Sequence, residues 1–138
     1  MKIYFAGSIR AGRDDQDFYY SIINELGKYG QVLTEHIGNK SLSDQGEQGI
    51  TDTYIFERDM NWVKEADLLV GEVTTPSLGV GYEIGQAESF CKRILLLYRP
   101  SEGKKLSGML SGNSYVKIIE YKKIEEIPKI LEDFFKKS

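Results

Sequence analysis

Cysteine is almost missing from this chain. Cys91 stands alone, so no intrachain disulfide can close and a cysteine-based zinc cluster lacks its ligands. That usage suits a reducing, cytoplasmic setting. An excess of positive charge is missing too: the formal net charge is −3, without the basic surface on which nonspecific binding of polymeric nucleic acid depends. No apolar run reaches the length needed to span a membrane, and the one in "MKIYFAG" is too short for a secretory leader. Repeats, low-complexity tracts and linker compositions are also absent. What remains is an ordinary globular balance, 41% hydrophobic and 28% charged residues, in a chain of 138 residues that suits one domain and one core. The expectation is a single soluble domain over residues 1–138.

Apolar runs alternate with amphipathic stretches throughout. "KIYFAG" (2–7), "QVLTE" (31–35), "ADLLVGEV" (66–73), "RILLLY" (93–98) and "YVKIIEY" (115–121) read as strands, several too uniformly apolar to have a wet face. Between them, Phe18, Ile22, Ile23, Leu26 and Tyr29 fall at helical spacing, and Gly30 stands where a C-cap glycine would. Further helices are expected over about 50–64, 79–91 and 124–136. This alternation predicts an α/β domain, doubly wound about a parallel sheet, since right-handed crossovers place helices on both faces. Ligands of such sheets bind beyond the carboxyl ends of the strands, near the switch point in strand order. The polar stretch "GNKSLSDQGEQG" (38–49) is the longest loop, and it reads equally as a binding lid or as a plain connection.

The loop after the first strand, "GSIRAGR", combines Gly7 and Gly12 with Ser8, Arg10 and Arg13. Glycines allow close backbone approach, amides and a hydroxyl donate, and arginine presents a planar fork that matches phosphate. The spacing is neither that of a P-loop nor that of a dinucleotide fingerprint, and a glycine-rich turn with solvated arginines stays open. "PSLGVGYEIG" after the third strand fails the dinucleotide pattern as well, because Ile84 occupies the place of the third glycine. It reads instead as a helix start, with Pro76 and Ser77 opening it and Glu83 just inside. There the macrodipole favours the glutamate as an anion, which suits a nucleophile; a solvent-facing glutamate is the plain alternative.

A second carboxylate, Asp59, lies among Phe56, Met60, Trp62 and Val63. Apolar company raises a carboxyl's pKa, so this acid could keep a proton to donate while Glu83 stays ionised. Equally, Glu57, Arg58 and Asp59 can form a solvated helix face with local ion pairs. His36 is the only histidine; it reads either as structural or, from its place beyond a strand's carboxyl end, as a contact to a base or sugar.

Taken together, "IYFAGSIRAGR", "GQVLTEHI", "ERDMNWVKEADLLVGEVTTPSLGVGYEIGQA", "KRILLLYRP" and "KLSGML" closely resemble the 2′-deoxynucleoside 5′-phosphate N-hydrolases of the nucleoside 2-deoxyribosyltransferase family. The resemblance runs in order through most of residues 3–110 and is of fold level only beyond. It implies a flavodoxin-like five-stranded parallel sheet, a homodimer, no metal or organic cofactor, and cleavage of deoxynucleoside 5′-monophosphates to free base and 2-deoxyribose 5-phosphate. By position it implies Glu83 as the nucleophile that forms a glycosyl-enzyme intermediate, Asp59 as the group assisting the leaving base, and Tyr4 at the same centre. The phosphate shell it implies is Gly7, Ser8, Ile9 and Arg10 with Ser77 and Gly79, completed by Ser107 from the neighbouring subunit; Ala11, Gly12 and Arg13 belong to the same loop. Ala11 departs from a commoner glycine, and its methyl narrows the loop's conformations. Tyr19, His36, Gly108 and Met109 are candidates for base or sugar contacts.

Double displacement by a carboxylate is the logic of retaining glycosidases, and deoxyribose, without an electron-withdrawing 2′-hydroxyl, eases the oxocarbenium-like transition state. Two other functions stay in view. One is a deoxyribosyltransferase that passes the sugar to a second base, against which the phosphate shell argues. The other is a nucleotide-binding module without turnover, against which the pair Glu83 and Asp59 argues.

Overall fold

Strand β1 (Lys2–Ala6) alternates its side chains between two cores. Ile3 and Phe5 enter one and Tyr4 and Ala6 the other. The same division continues in β3 (Leu68–Glu72) and β4 (Arg93–Tyr98), whose residues are buried almost throughout, as a sheet covered on both faces requires. In this computed structural model, residues 1–8, 15–38 and 49–137 are described. With β2 (Gln31–Val32) and β5 (Lys117–Glu120) the strands form one parallel sheet in the order β2-β1-β3-β4-β5, the flavodoxin order. Its switch point lies between β1 and β3, where Tyr4 pairs with Leu69 and Ala6 with Gly71.

Helices α1 (Gln16–Leu26) and α5 (Ile127–Lys136) cover the face of Ile3 and Phe5, with Tyr19, Ile22, Leu26, Leu131 and Phe134 buried against it. Helices α2 (Asp52–Glu65) and α3 (Leu78–Ser89) cover the face of Tyr4, supplying Val63, Val80, Ile84 and Ala87. The α2 start is capped by Thr51, whose hydroxyl accepts from the Tyr54 N–H at 3.1 Å, a contact worth about 1 kcal/mol. A short α4 (Gly108–Ser111) follows β4; it lies outside the expected elements and is anchored by Leu106 and Leu110 against the Tyr4 core. A 3₁₀ turn, Ile124–Glu126, precedes α5.

Two expectations need correction. The second strand ends at Val32, three residues early, because Thr34 turns its hydroxyl onto β1: it accepts from the Phe5 N–H at 2.9 Å and donates to the Phe5 carbonyl at 2.6 Å. A side chain there replaces a strand, and the 3₁₀ turn Glu35–Gly38 follows. Gly30 is not the helix cap. Helix α1 stops at Leu26 with Gly27 still in right-handed geometry, and Tyr29 lies past it, stacked on Phe135 with ring centroids 4.2 Å apart. Gly30 is needed because a Cβ there would stand 2.4 Å from the Met1 carbonyl oxygen.

Candidate active site

Tyr4 leaves the middle of β1 toward α2 and α3 and is fully buried. Its hydroxyl donates a hydrogen bond to the Glu83 carboxylate. Burial, then the charges of Glu83 and Asp59, push the phenol far above its ordinary pKa, so it stays a protonated donor. Glu83 sits one turn into α3, where Ser77 caps the helix by accepting from the Val80 N–H at 3.2 Å. Burial pushes the Glu83 carboxyl up to about 7; the Tyr4 hydrogen bond and the Arg58 charge hold it down, and the Asp59 charge adds to the rise. Desolvation thus opposes the helix dipole, which favours the anion, and leaves Glu83 poised near neutrality.

Asp59 reaches the same centre from α2 and is ion-paired with Arg58 Nε at 3.0 Å. The guanidinium of Arg58 lies over the Trp62 ring, 4.8 Å from its centroid, and Trp62 meets His36 with ring centroids 5.9 Å apart. His36, Trp62, Arg58 and Asp59 therefore form a continuous series leading to the Tyr4–Glu83 pair. Arg58 entered the expectations only as a member of an alternative solvated face with local ion pairs. Its signal was only its adjacency to Asp59.

At the carboxyl end of β1, Gly7 lies over Tyr19, whose ring would stand 3.0 Å from any Cβ added there. Ser8 follows, fully buried, and its Oγ has no hydrogen-bond partner among the described residues. Its backbone N–H donates to the Tyr19 hydroxyl at 3.0 Å. Tyr19, a candidate for base or sugar contact, is wholly buried and supports this loop from beneath. Ile9, Arg10, Ala11, Gly12 and Arg13 lie outside the described residues, as does most of the 38–49 loop. Ser77 is half-buried and Gly79 exposed at the start of α3. Ser107, Gly108 and Met109 are exposed on and before α4, where Ser107 accepts from the Met109 N–H at 3.2 Å; no contact links them to Glu83 among the described residues. Also among the described residues, no cluster of three or more His, Cys, Asp or Glu side chains is placed to hold a metal ion, and no helix is long and apolar enough to cross a membrane.

A parallel sheet of flavodoxin order, with a part-buried tyrosine–glutamate pair and a second carboxylate beside its switch point, defines an α/β domain with an acid pair at the end of the sheet where such folds bind ligands. The comparisons with known proteins narrow this class. The model of the family described as nucleoside 2-deoxyribosyltransferase matches residues 3–114, and the chain belongs to that family. It is 49% identical to the 5-hydroxymethyl-dUMP N-hydrolase of Esox lucius, over 99% of this chain and 97% of that protein. It is 44% identical to the Homo sapiens protein of the same name, over 96% of this chain and 78% of that one. Among solved structures, the CMP N-glycosidase BcmB of Clostridium botulinum shares the fold with a TM-score of 0.68 at 22% identity, covering 97% of this chain and 99% of that one.

Proposed function

We propose that this protein hydrolyses the N-glycosidic bond of 2′-deoxynucleoside 5′-monophosphates, releasing the free base and 2-deoxyribose 5-phosphate. The observation that carries the reading is the Tyr4–Glu83 pair with Asp59 beside it, in a chain so similar over its length to relatives named N-hydrolases. Those names make 5-hydroxymethyl-dUMP the first substrate to test.

In the proposed reaction the ionised Glu83 attacks the anomeric carbon; a carbon–oxygen bond forms as the carbon–nitrogen bond breaks, and its electron pair leaves with the base. The departing base takes its proton from a water molecule that Asp59, ion-paired with Arg58, positions, and the hydroxide left behind takes up the proton that Asp59 collects in the next step. Water then attacks the same carbon and returns the electron pair to Glu83, with Asp59 taking the proton. Tyr4 orients the nucleophile and lowers its pKa. The phosphate is assigned to Gly7 and Ser8, whose buried hydroxyl has no partner among the described residues, and to Ser77 and Gly79 at the amino terminus of α3. Ile9, Arg10 and the rest of that loop are assigned on the sequence alone, as is a contact from His36 to the base.

A homodimer completes the proposal. Leu78 is 97% exposed and Met109 83%, extreme values for apolar side chains. Tyr82 lies one turn from Leu78 and meets Phe56 with ring centroids 6.1 Å apart, so Leu78, Tyr82 and Phe56 form an exposed apolar patch on α2 and α3. Gly81 and Gly85 on α3 face open space, room for a second helix to approach closely. A partner seated there would bring Ser107 to the phosphate across the interface.

The deciding experiment incubates the protein with each deoxynucleoside monophosphate, 5-hydroxymethyl-dUMP included, and separates the products. Free base and sugar phosphate are expected, with ribonucleotides and bare deoxynucleosides poor by orders of magnitude. Glu83→Ala should abolish release while binding persists, and Asp59→Asn should lower kcat with little change in affinity. Capture of the sugar by an added base, with bare nucleosides as good as monophosphates, would show a transferase instead.

A further inference from the structure

Behind the switch point, on the opposite face of the sheet from Tyr4, lies a polar cluster that the reaction does not use. Glu72, the last residue of β3, is fully buried, and both of its oxygens are engaged. Oε1 accepts from the Thr74 N–H at 2.8 Å, while Oε2 accepts from the Thr74 hydroxyl at 2.9 Å, from Arg99 Nε at 3.2 Å and from the Tyr121 hydroxyl. Arg99 stands just past β4. Its backbone N–H donates to Thr74 Oγ1 at 3.0 Å, its guanidinium lies 3.7 Å from the centroid of the Phe18 ring, and its second arm donates to Asp15. Burial works against the arginine's charge, but Asp15 and Glu72 more than compensate and hold it fully protonated.

Asp15 is the informative member. It occupies the N-cap position of α1, where an aspartate ordinarily accepts from the first turn of its own helix for about 1 kcal/mol. It makes no such bond. One oxygen takes Arg99, and the other accepts from the Thr75 hydroxyl at 2.5 Å. That last bond joins the end of the β1–α1 connection, which begins at Gly7 and Ser8, to the β3–α3 connection two residues before Ser77. These are the two loops assigned above to the phosphate. Arg99 itself faces two carboxylates, which rules it out as a phosphate ligand and leaves it a role in geometry.

We propose that Arg99, seated on Glu72, fixes the separation of the two phosphate loops through the Asp15–Thr75 bond, and so sets the preference for a phosphorylated sugar. Asp15, Thr75 and Arg99 are positioning residues in this scheme. The inference rests on the phosphate assignment above, but its test does not require turnover. Thr75→Val keeps the shape of a half-buried side chain and removes only the hydroxyl; Thr75→Ser restores it. The probe is 2-deoxyribose 5-phosphate, titrated into each variant by calorimetry, with a thermal melt to establish folding and steady-state rates on a deoxynucleoside monophosphate and its bare nucleoside.

Thr75→Val is expected to bind the sugar phosphate about tenfold more weakly and to raise KM for the monophosphate by a similar factor, with kcat within about twofold and the bare nucleoside unaffected. Thr75→Ser should recover most of the loss, and Asp15→Asn should behave as Thr75→Val does. Unchanged affinity in Thr75→Val, or an equal loss with the bare nucleoside, would overturn the proposal. If the wild type binds the sugar phosphate yet releases no base from any monophosphate, the hydrolase reading fails and the binding series still decides this one. If it does not bind the sugar phosphate, both fall.

Discussion

A glutamate meant to attack carbon must be ionised, yet Glu83, the residue proposed for this role, has its carboxyl pushed up to about 7 by burial. The efficiency kcat/KM should therefore fall as pH drops below about 7, roughly tenfold per unit once Glu83 is mostly protonated. Tyr4 identifies the titrating group. Its hydrogen bond favours the carboxylate, so Tyr4→Phe should move the acidic limb to higher pH, and a midpoint that stays in place would detach the limb from Glu83. The same shift reaches stability. The folded state binds a proton at Glu83 more tightly than the unfolded chain, where the pKa is 4.5, so this group's contribution is fully present below pH 4.5 and is lost as pH rises to about 7. Above that the cost of the buried charge is of order 3 kcal/mol, about 1.4 kcal/mol for each pH unit between the two values. Glu83→Gln should then raise Tm relative to the wild type at pH 8, with the gap closing near pH 5. Equal gaps at both values would mean that the carboxylate is better solvated than its surroundings imply.

Elements built from local pattern were legible in the sequence, and those shaped by distant partners were not. The run "RILLLY" is β4 residue for residue, and the central strands declare themselves by uniform burial. The second strand was overdrawn because "QVLTE" carries strand composition, while what ends it is the Thr34 hydroxyl bonding to Phe5, twenty-nine residues away in sequence. Gly30 looked like a cap because it follows a helical pattern, but the reason for it is the Met1 carbonyl just before β1, twenty-nine residues back in the sequence. Glu83 and Asp59 were singled out as candidates from their places in two helices, whereas the direction of the Glu83 shift depends on desolvation, which no spacing reveals. The cluster of Glu72, Arg99 and Asp15 was missed entirely; an ion pair across eighty-four residues leaves no periodic trace. Gly30 offers a measurement at this scale. Gly30→Ala forces the α1–β2 turn away from the start of β1 and should destabilise the fold by about 1–3 kcal/mol, lowering the urea midpoint with the m-value unchanged. A neutral alanine would mean that the turn yields without cost.

For the molecule as a whole, the arrangement of apolar surface bears on whether one chain holds a complete site. Leu78, Phe56, Tyr82 and Met109 stand exposed on α2, α3 and α4, the side that carries Glu83, while the opposite face is closed by α1 and α5. Such a surface beside Glu83 is what the proposed homodimer would cover. Sedimentation at micromolar concentration should give a dimer, and Tyr82→Lys should shift it toward monomer with the far-ultraviolet circular dichroism unchanged, since the side chain is exposed on the single chain. The sharper test asks which chain supplies Ser107. If it acts across the interface, a Ser107→Ala protomer keeps Glu83 but deprives its partner's site of the hydroxyl, and a Glu83→Ala protomer is inactive but carries Ser107. Mixing the two under exchange conditions then assembles dimers in which one site has both residues. Adding excess Glu83→Ala protein should raise the rate per Ser107→Ala protomer toward the wild-type rate. With Ser107 acting in its own chain, no mixture contains an intact site, and the rate would stay where Ser107→Ala alone leaves it.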